Sequence, residues 1–207
     1  TILRDEPLIP ADEVMFHGQA VAFVVAQDEA TARIAAALVA VDYEPLPVCT
    51  TMAQAIAEER FHLPPAKVER GEVEAAMQHA PHRISGEFQM GGQEHFYLET
   101  QSARAAIDSE GVVQVVSSTQ HPTETQHIVS QVLGLPANQV VCRSLRMGGG
   151  FGGKESQANP VAAIAALAAK LTGRPARFKL ERGLDMRMTG KRHPFLARYE
   201  AGFDDEG

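Results

Sequence analysis

The apolar positions of this 207-residue chain switch between two periods, and each switch marks an element. Gly18–Ala26 is a short, nearly continuous apolar run and predicts a buried β-strand. Asp28 then caps a helix over Glu29–Val41, which is rich in Ala and carries apolar residues at helical spacing. Val41–Val48 returns as a strand, and its two prolines place it at a sheet edge. A short helix follows over Met52–Glu59. Phe61–Glu69 carries prolines and reads as a linker, and Glu69–Gln78 as a short helix. Arg83–Met90 alternates as a strand. Ala103–Asp108 and Val112–Ser118 predict a hairpin about the Ser109-Glu110-Gly111 turn. Pro122–Leu133 is an amphipathic helix closed by Gly134, and Gln139–Leu145 is a strand. Asn159-Pro160 opens a helix that reaches Leu171 and stops at Gly173. Pro175–Glu181 and Phe195–Phe203 are strands. The expected fold class is mixed α+β, without internal repeats or low-complexity tracts.

Composition narrows the function classes. Hydrophobic residues make up 44% and charged residues 22%, as in ordinary globular domains. The net charge of −7 argues against nucleic acid or an anionic membrane as a partner. A local basic group (Arg177, Lys179, Arg182, Arg187, Lys191, Arg192, Arg198) reads as solvated strand and loop surface. Val161–Leu171 is apolar but falls short of the ~18–20 residues of a membrane span. No apolar signal-type segment begins the sequence, so a cytoplasmic protein is expected. Cys49 and Cys142 are the only cysteines, and without a C-x-x-C pair they encode neither a zinc site nor an iron–sulfur cluster. Thr1 stands where an initiator Met would, and Asp204–Gly207 reads as a turn without a following strand. The expectation is a fragment of a longer polypeptide.

The densest chemistry lies in Arg146–Glu155. Five glycines fall within the six positions 148–153, between a predicted strand and a predicted helix. Such a turn aims backbone N–H groups at an anion or an oxygen-rich cofactor. Gly148–Lys154 fits the spacing of a phosphate loop, G-x-x-x-x-G-K, which leaves a nucleotide-binding module open. That motif calls next for Ser or Thr to hold Mg²⁺. Here Glu155 follows, with Ser156 one place late, and a carboxylate there repels a triphosphate.

Met147–Glu155 resembles the signature loop of the molybdenum hydroxylases, the xanthine dehydrogenase and aldehyde oxidase family. Gly91–Thr100, Ser117–Gln120, Arg182–Met186 and Thr189–Tyr199 resemble further family segments in the same order. The resemblance is weakest over residues 50–80. It implies the C-terminal part of an α/β hammerhead domain over 1–60, a linker over 61–80, and the N-terminal part of the first molybdenum cofactor-binding domain over 81–207. It also implies oxygen insertion, from water, into a C–H bond of an electron-poor heterocycle or aldehyde. The metal in that family is held by a molybdopterin dithiolene instead of protein side chains, so the protein's work is hydrogen bonding around it.

By that resemblance, Gln120 sits beside the molybdenum and hydrogen-bonds an oxo ligand. The Phe151 backbone N–H reaches an oxygen ligand of the metal, and its ring walls the substrate pocket. Gly150 and Gly152 let cofactor and backbone approach closely. Glu155 orients the substrate and favours a purine such as xanthine or hypoxanthine, because aldehyde oxidases generally carry an apolar residue there. From the residues alone, Gln120 is also a capping residue before Pro122, Phe151 a core residue, and Glu155 a helix N-terminal glutamate. Gln93, Glu94 and His95 lie on an expected strand whose neighbours face opposite ways, so they read as support, with His95 a satisfied buried histidine. Arg182, His193 and Arg198 read as structural.

The family's general base is a glutamate far downstream, so no catalytic residue is expected in these 207 residues. The chain alone is expected to be inactive and to bind the cofactor poorly. FAD and 2Fe-2S clusters are implied on partner subunits or other domains, in an enzyme that dimerises. An aldehyde oxidase-like member, another heterocycle hydroxylase and a non-catalytic remnant stand as rivals to the purine enzyme.

Overall fold

The computed structural model describes residues 6–207. They form two compact units, one of residues up to Val41 with Glu94–Arg192, the other of Asp42–Gln93 with His193–Gly207.

The first unit is built on a four-stranded sheet ordered β4-β3-β2-β5. Its strands are β2 (Ser102–Ile107), β3 (Val113–Ser117), β4 (Val140–Arg143) and β5 (Ala176–Lys179). β2 and β3 make the predicted antiparallel hairpin, with Asp108 accepting the backbone N–H groups of Glu110 and Val112 in its turn. The chain then crosses through α4 (Pro122–Leu133) to β4, which runs parallel to β3. α5 (Ala158–Thr172) returns it to β5, which pairs antiparallel with the other edge of β2. Alternation along β2 and β3 buries Ala103, Ala105, Val113 and Val115 under Val129 and Leu133 of α4 and the alanine-rich face of α5. Gly134 and Gly173 close these helices in the left-handed conformation, as their sequence positions predict.

The second unit is a long ribbon. β1 (His82–Met90) pairs antiparallel with β6 (Phe195–Phe203) along their whole lengths. Glu87 lies opposite Arg198 and accepts its Nε–H at 2.9 Å. α3 (Val73–His79) packs on β6, and α2 (Met52–Ala57) is capped by Thr51.

Three expectations need correction. Gly18–Ala26 and Val41–Val48 are not strands, because neither pairs with another strand among the described residues. An extended run becomes a strand only when a neighbour takes its N–H and C=O groups. Val41–Val48 is exposed throughout, while Phe23 packs edge-on against Phe178 at 5.9 Å. α1 (Glu29–Ala36) is capped by Asp28 as predicted but stops five residues short of Val41, and it buries none of its residues. The helix α6 (Arg182–Met188) was not predicted at all. Its cap is Glu181, an uncommon residue there, and Gly183 sits in its first turn.

The topology sets where a site can form. β3 and β4 are parallel neighbours, so their C-terminal ends lie at one end of the sheet. β2, antiparallel to β3, begins at that end, with Ala103 opposite Ser117. β5 finishes there too, with Lys179 opposite Ser102. Four connections therefore meet: the approach to β2, Ser118–His121, the glycine loop after β4, and α6 after β5. Ligands of such sheets gather at the carboxyl ends of the parallel strands.

Candidate functional site

The glycine loop hangs between β4 and α5 and is held by its neighbours. Gly153 donates its N–H to Gly150 C=O at 2.7 Å, closing a tight turn. The two central residues, Phe151 and Gly152, both take positive φ, 52° and 88°, the φ pattern of a type I′ turn. A non-glycine residue in that region costs about 1–2 kcal/mol. Phe151 is also 74% exposed, so it is not a core residue.

Gln120 touches the loop most closely. A Cβ on Gly150 would lie 2.5 Å from Gln120 Oε1, which explains why that position has none. The same Oε1 accepts N–H bonds from Gly152 at 3.0 Å and Lys154 at 3.1 Å. The Gln120 backbone N–H donates to Lys154 C=O at 2.8 Å. Two backbone donors fix which end of the amide is oxygen. The exposed Gln120 is left with an Nε2 group that has no partner among the described residues. With Oε1 occupied by the loop, what the amide has left for a ligand is a donor. Nor does Gln120 cap α4: His121 does, with Nδ1 accepting Glu124 N–H at 3.0 Å.

The N–H groups of Gly149, Gly150 and Phe151 also have no partner among the described residues. A Cβ on Gly152 would meet nothing within 4 Å. Neutral donors beside open space suit a bulky, oxygen-bearing, anionic group, and the molybdopterin group fits that description. Among the described residues no three His, Cys, Asp or Glu side chains are placed to hold a metal ion directly. Gln120, Gly150, Phe151 and Gly152 are thus brought together. Glu155 follows them, exposed and ahead of α5, whose first residue is Ala158, so it is not a first-turn glutamate.

Beneath the loop lies a buried layer that sequence reasoning missed. Lys154 has no exposed side-chain surface; its Nζ lies 3.2 Å from Glu99 Oε2 and 4.7 Å from the centroid of the Tyr97 ring. Burial lowers its pKa, against the opposing pull of Glu99. A phosphate-loop lysine must reach a phosphate, and this one is enclosed, so the nucleotide-binding reading fails. Tyr97 donates its hydroxyl to Asp185 Oδ1 at 2.6 Å. Burial first, then that carboxylate, push the Tyr97 pKa up to about 12. Gln101 donates Nε2 to Gly153 C=O at 2.8 Å and its backbone N–H to Asp185 Oδ2 at 2.7 Å. The signal available in sequence was the general one: a Lys inside a turn of glycines needs a partner if it is buried.

The Gln93–His95 segment also departs from expectation. Phe96 takes a positive φ of 51°, so the segment is no alternating strand. Glu94 pairs with Lys191 at 2.9 Å. His95 is half-buried and stacks on Tyr97, with no hydrogen bond to its ring among the described residues. Arg182 is structural, donating to the Tyr97 and Leu98 carbonyls at 2.8 and 2.6 Å.

Comparison with known proteins gives the family. Residues 55–207 match the molybdopterin cofactor-binding domain family. Residues 1–47 match the aldehyde oxidase and xanthine dehydrogenase a/b hammerhead domain. The chain is 47% identical over 209 residues to a xanthine dehydrogenase of Drosophila pseudoobscura pseudoobscura, covering 100% of this chain and 16% of the fly protein. It is 46% identical over 204 residues to aldehyde oxidase 1 of Oryctolagus cuniculus, covering 98% of this chain and 15% of that protein. The chain therefore spans about a sixth of the length of these relatives. The aldehyde oxidoreductase of Desulfovibrio desulfuricans superposes with a TM-score of 0.86 at 26% identity, over 98% of this chain and 23% of that one. Quinoline 2-oxidoreductase of Pseudomonas putida 86 gives 0.84 at 26% identity, over 96% and 26%. No helix among the described residues is long and apolar enough to cross a membrane. With the family matches spanning both ends of the sequence and the donor-lined glycine turn inside the matched cofactor domain, this chain belongs to the aldehyde oxidase and xanthine dehydrogenase family of molybdopterin enzymes.

Proposed function

We propose that this chain forms one wall of the molybdenum–molybdopterin site in a hydroxylase that oxidises a purine, xanthine or hypoxanthine. The observation that carries the proposal is the fixed amide of Gln120, with its carbonyl spent on Gly152 and Lys154 and its Nε2 free. When bound, the molybdenum–pterin group supplies transfer of a water-derived oxygen to carbon and accepts an electron pair from the substrate. Gln120 Nε2 and the Phe151 N–H donate hydrogen bonds to oxygens of that group, adding no charge. Gly150 and Gly152 allow its close approach. The exposed Phe151 ring covers one side of the substrate, and Glu155 accepts hydrogen bonds from ring N–H groups of the purine.

The general base is supplied from outside this chain, so residues 1–207 alone are inactive. In the same proposal, 2Fe-2S clusters and FAD on other domains or subunits take the electrons, and the whole enzyme is a cytoplasmic dimer. Residues 1–60, 61–80 and 81–207 serve as hammerhead part, linker and cofactor-domain part. A second reading, oxidation of an aldehyde, is favoured by the near-equal identity to an aldehyde oxidase; Glu155 is what favours the purine.

The test is Gln120→Leu in the full-length enzyme. Loss of one preorganised donor is expected to lower kcat about 100-fold and to alter the electronic spectrum of the bound metal. An enzyme purified without molybdenum, or a variant with unchanged turnover and spectrum, removes the proposal. Xanthine turnover by the 207-residue chain alone removes its claim of inactivity.

A further inference from the structure

The glycine loop is closed end to end by a single carboxylate. Glu99 Oε2 accepts the Gly148 N–H at 2.9 Å and lies 3.2 Å from Lys154 Nζ. Glu99 also donates its own N–H to Gly148 C=O at 3.0 Å. Gly148 and Lys154 are the first and last residues of the loop, so one side chain pins both ends. A Cβ on Gly148 would lie 2.6 Å from Glu99 Cβ, which shows how closely the two backbones are drawn together.

Lys154 then links this closure to the outward-facing donors. Its N–H and C=O are both bonded to Gln120, through Oε1 and through the backbone N–H. A movement of the Lys154 backbone is therefore a movement of the Gln120 amide. The Phe151 N–H sits midway along the loop, which between its ends is held by the Gly153–Gly150 turn bond, the Gly152–Gln120 bond and the Gln101–Gly153 bond. Pairing a buried ammonium with a carboxylate that is itself part-exposed is weak stabilisation at best, since an apolar pair often does as well. What an apolar pair cannot do is hold the Gly148 N–H and the Lys154 ammonium to one atom.

We infer that Glu99 and Lys154 form a clasp that positions the Gln120 amide and the Phe151 N–H for the reaction, a pair of positioning residues that touch neither substrate nor metal. This rests on the function proposed above. The clasp works by distance: displacement of about 1 Å at a reacting centre is enough to cost about 100-fold in rate.

The experiment compares full-length wild type, Lys154→Met, and the double variant Glu99→Leu with Lys154→Met. The single variant leaves Glu99 without its cation and lowers thermal stability; the double variant removes both charges and recovers it. Despite that recovery, the double variant is expected to retain molybdenum but to lose kcat by about 10- to 100-fold, with KM little changed. Its metal spectrum differs from wild type, and hydrogen exchange across Gly148–Lys154 is faster. Recovered stability with lost kcat is the pattern that a purely structural pair does not give. A double variant with wild-type kcat, spectrum and exchange overturns the clasp while leaving the function standing. Wild-type enzyme without molybdenum overturns the function and the clasp with it. Should either variant fail to accumulate, Lys154→Arg keeps the charge but displaces the chain with a longer, planar head; it must show the same fall in kcat, and wild-type kcat in it overturns the clasp.

Discussion

Gly150 and Gln120 are in such close contact that a methyl group on the Gly150 Cα would overlap the Gln120 amide at 2.5 Å from Oε1 and 2.7 Å from Cδ. Gly150→Ala must therefore push the amide away or shift the loop. The expected cost is about 1–3 kcal/mol of stability, as for other overpacked sites, together with a fall in molybdenum bound per protein. Metal analysis and thermal unfolding of the full-length variant check both. Normal metal content would show that the contact is dispensable.

Phe151 holds a left-handed conformation that suits glycine. Phe151→Gly is expected to leave stability unchanged or raise it by about 1 kcal/mol, since the relieved strain outweighs the added backbone freedom. In the function proposed above the substrate then loses its covering ring, so KM is expected to rise. A marked fall in melting temperature with an unaltered KM would mean that the ring serves packing alone.

Glu155 has an exposed carboxylate and no partner among the described residues. Glu155→Val in the full-length enzyme is expected to abolish purine turnover while aldehyde turnover persists. Equal loss of both would count against its role in choosing the substrate.

Tyr97 gives a prediction on pH. Its pKa rises from 10.0 to about 12, through burial and then through Asp185. Between those values the folded protein keeps a proton that the unfolded chain has released. The contribution of Tyr97 to stability is thus complete below pH 10 and is lost as the pH rises towards 12. Tyr97→Phe lacks this loss and instead leaves Asp185 short of one donor, at about 1–3 kcal/mol. Phenolate absorbance of wild type minus variant should titrate near pH 12; a difference titrating near pH 10 would show that the hydroxyl is not enclosed.

Much of the first unit was legible because its elements carry their own punctuation. α4 has Pro122 and Gly134 at its ends, α5 has Gly173, and the β2–β3 turn has Asp108 and Gly111. Gly18–Ala26 and Val41–Val48 were misread because apolar runs report burial, whereas a strand also needs a partner. α6 was missed because Gly183 breaks the local helical signal while Asp185, deep in its fold contacts, holds the helix to Tyr97 and Gln101. The upper face of the site was legible through its glycines and Gln120. The lower face was not: Tyr97, Glu99 and Gln101 alternate along one short segment, but Lys154 and Asp185 lie far along the chain and meet it only when β2, β5 and the glycine loop end at one side of the sheet. Lys154 fits the spacing of a phosphate ligand, and nothing local in the sequence says that its amine points inward.

α5 lies against β2, β3 and β5 through alanines at 162, 165, 166 and 169, all essentially without exposed surface. Small side chains act as a thin shim, and the thickness of that shim fixes how far the helix stands off the sheet. The glycine loop leads directly into this helix, so its height is inherited from residues that never approach a ligand. A single enlargement in the shim, such as Ala165→Leu, would tilt the loop at a distance. Variants that impair the proposed activity should therefore arise along the inner face of α5 as readily as at the site itself.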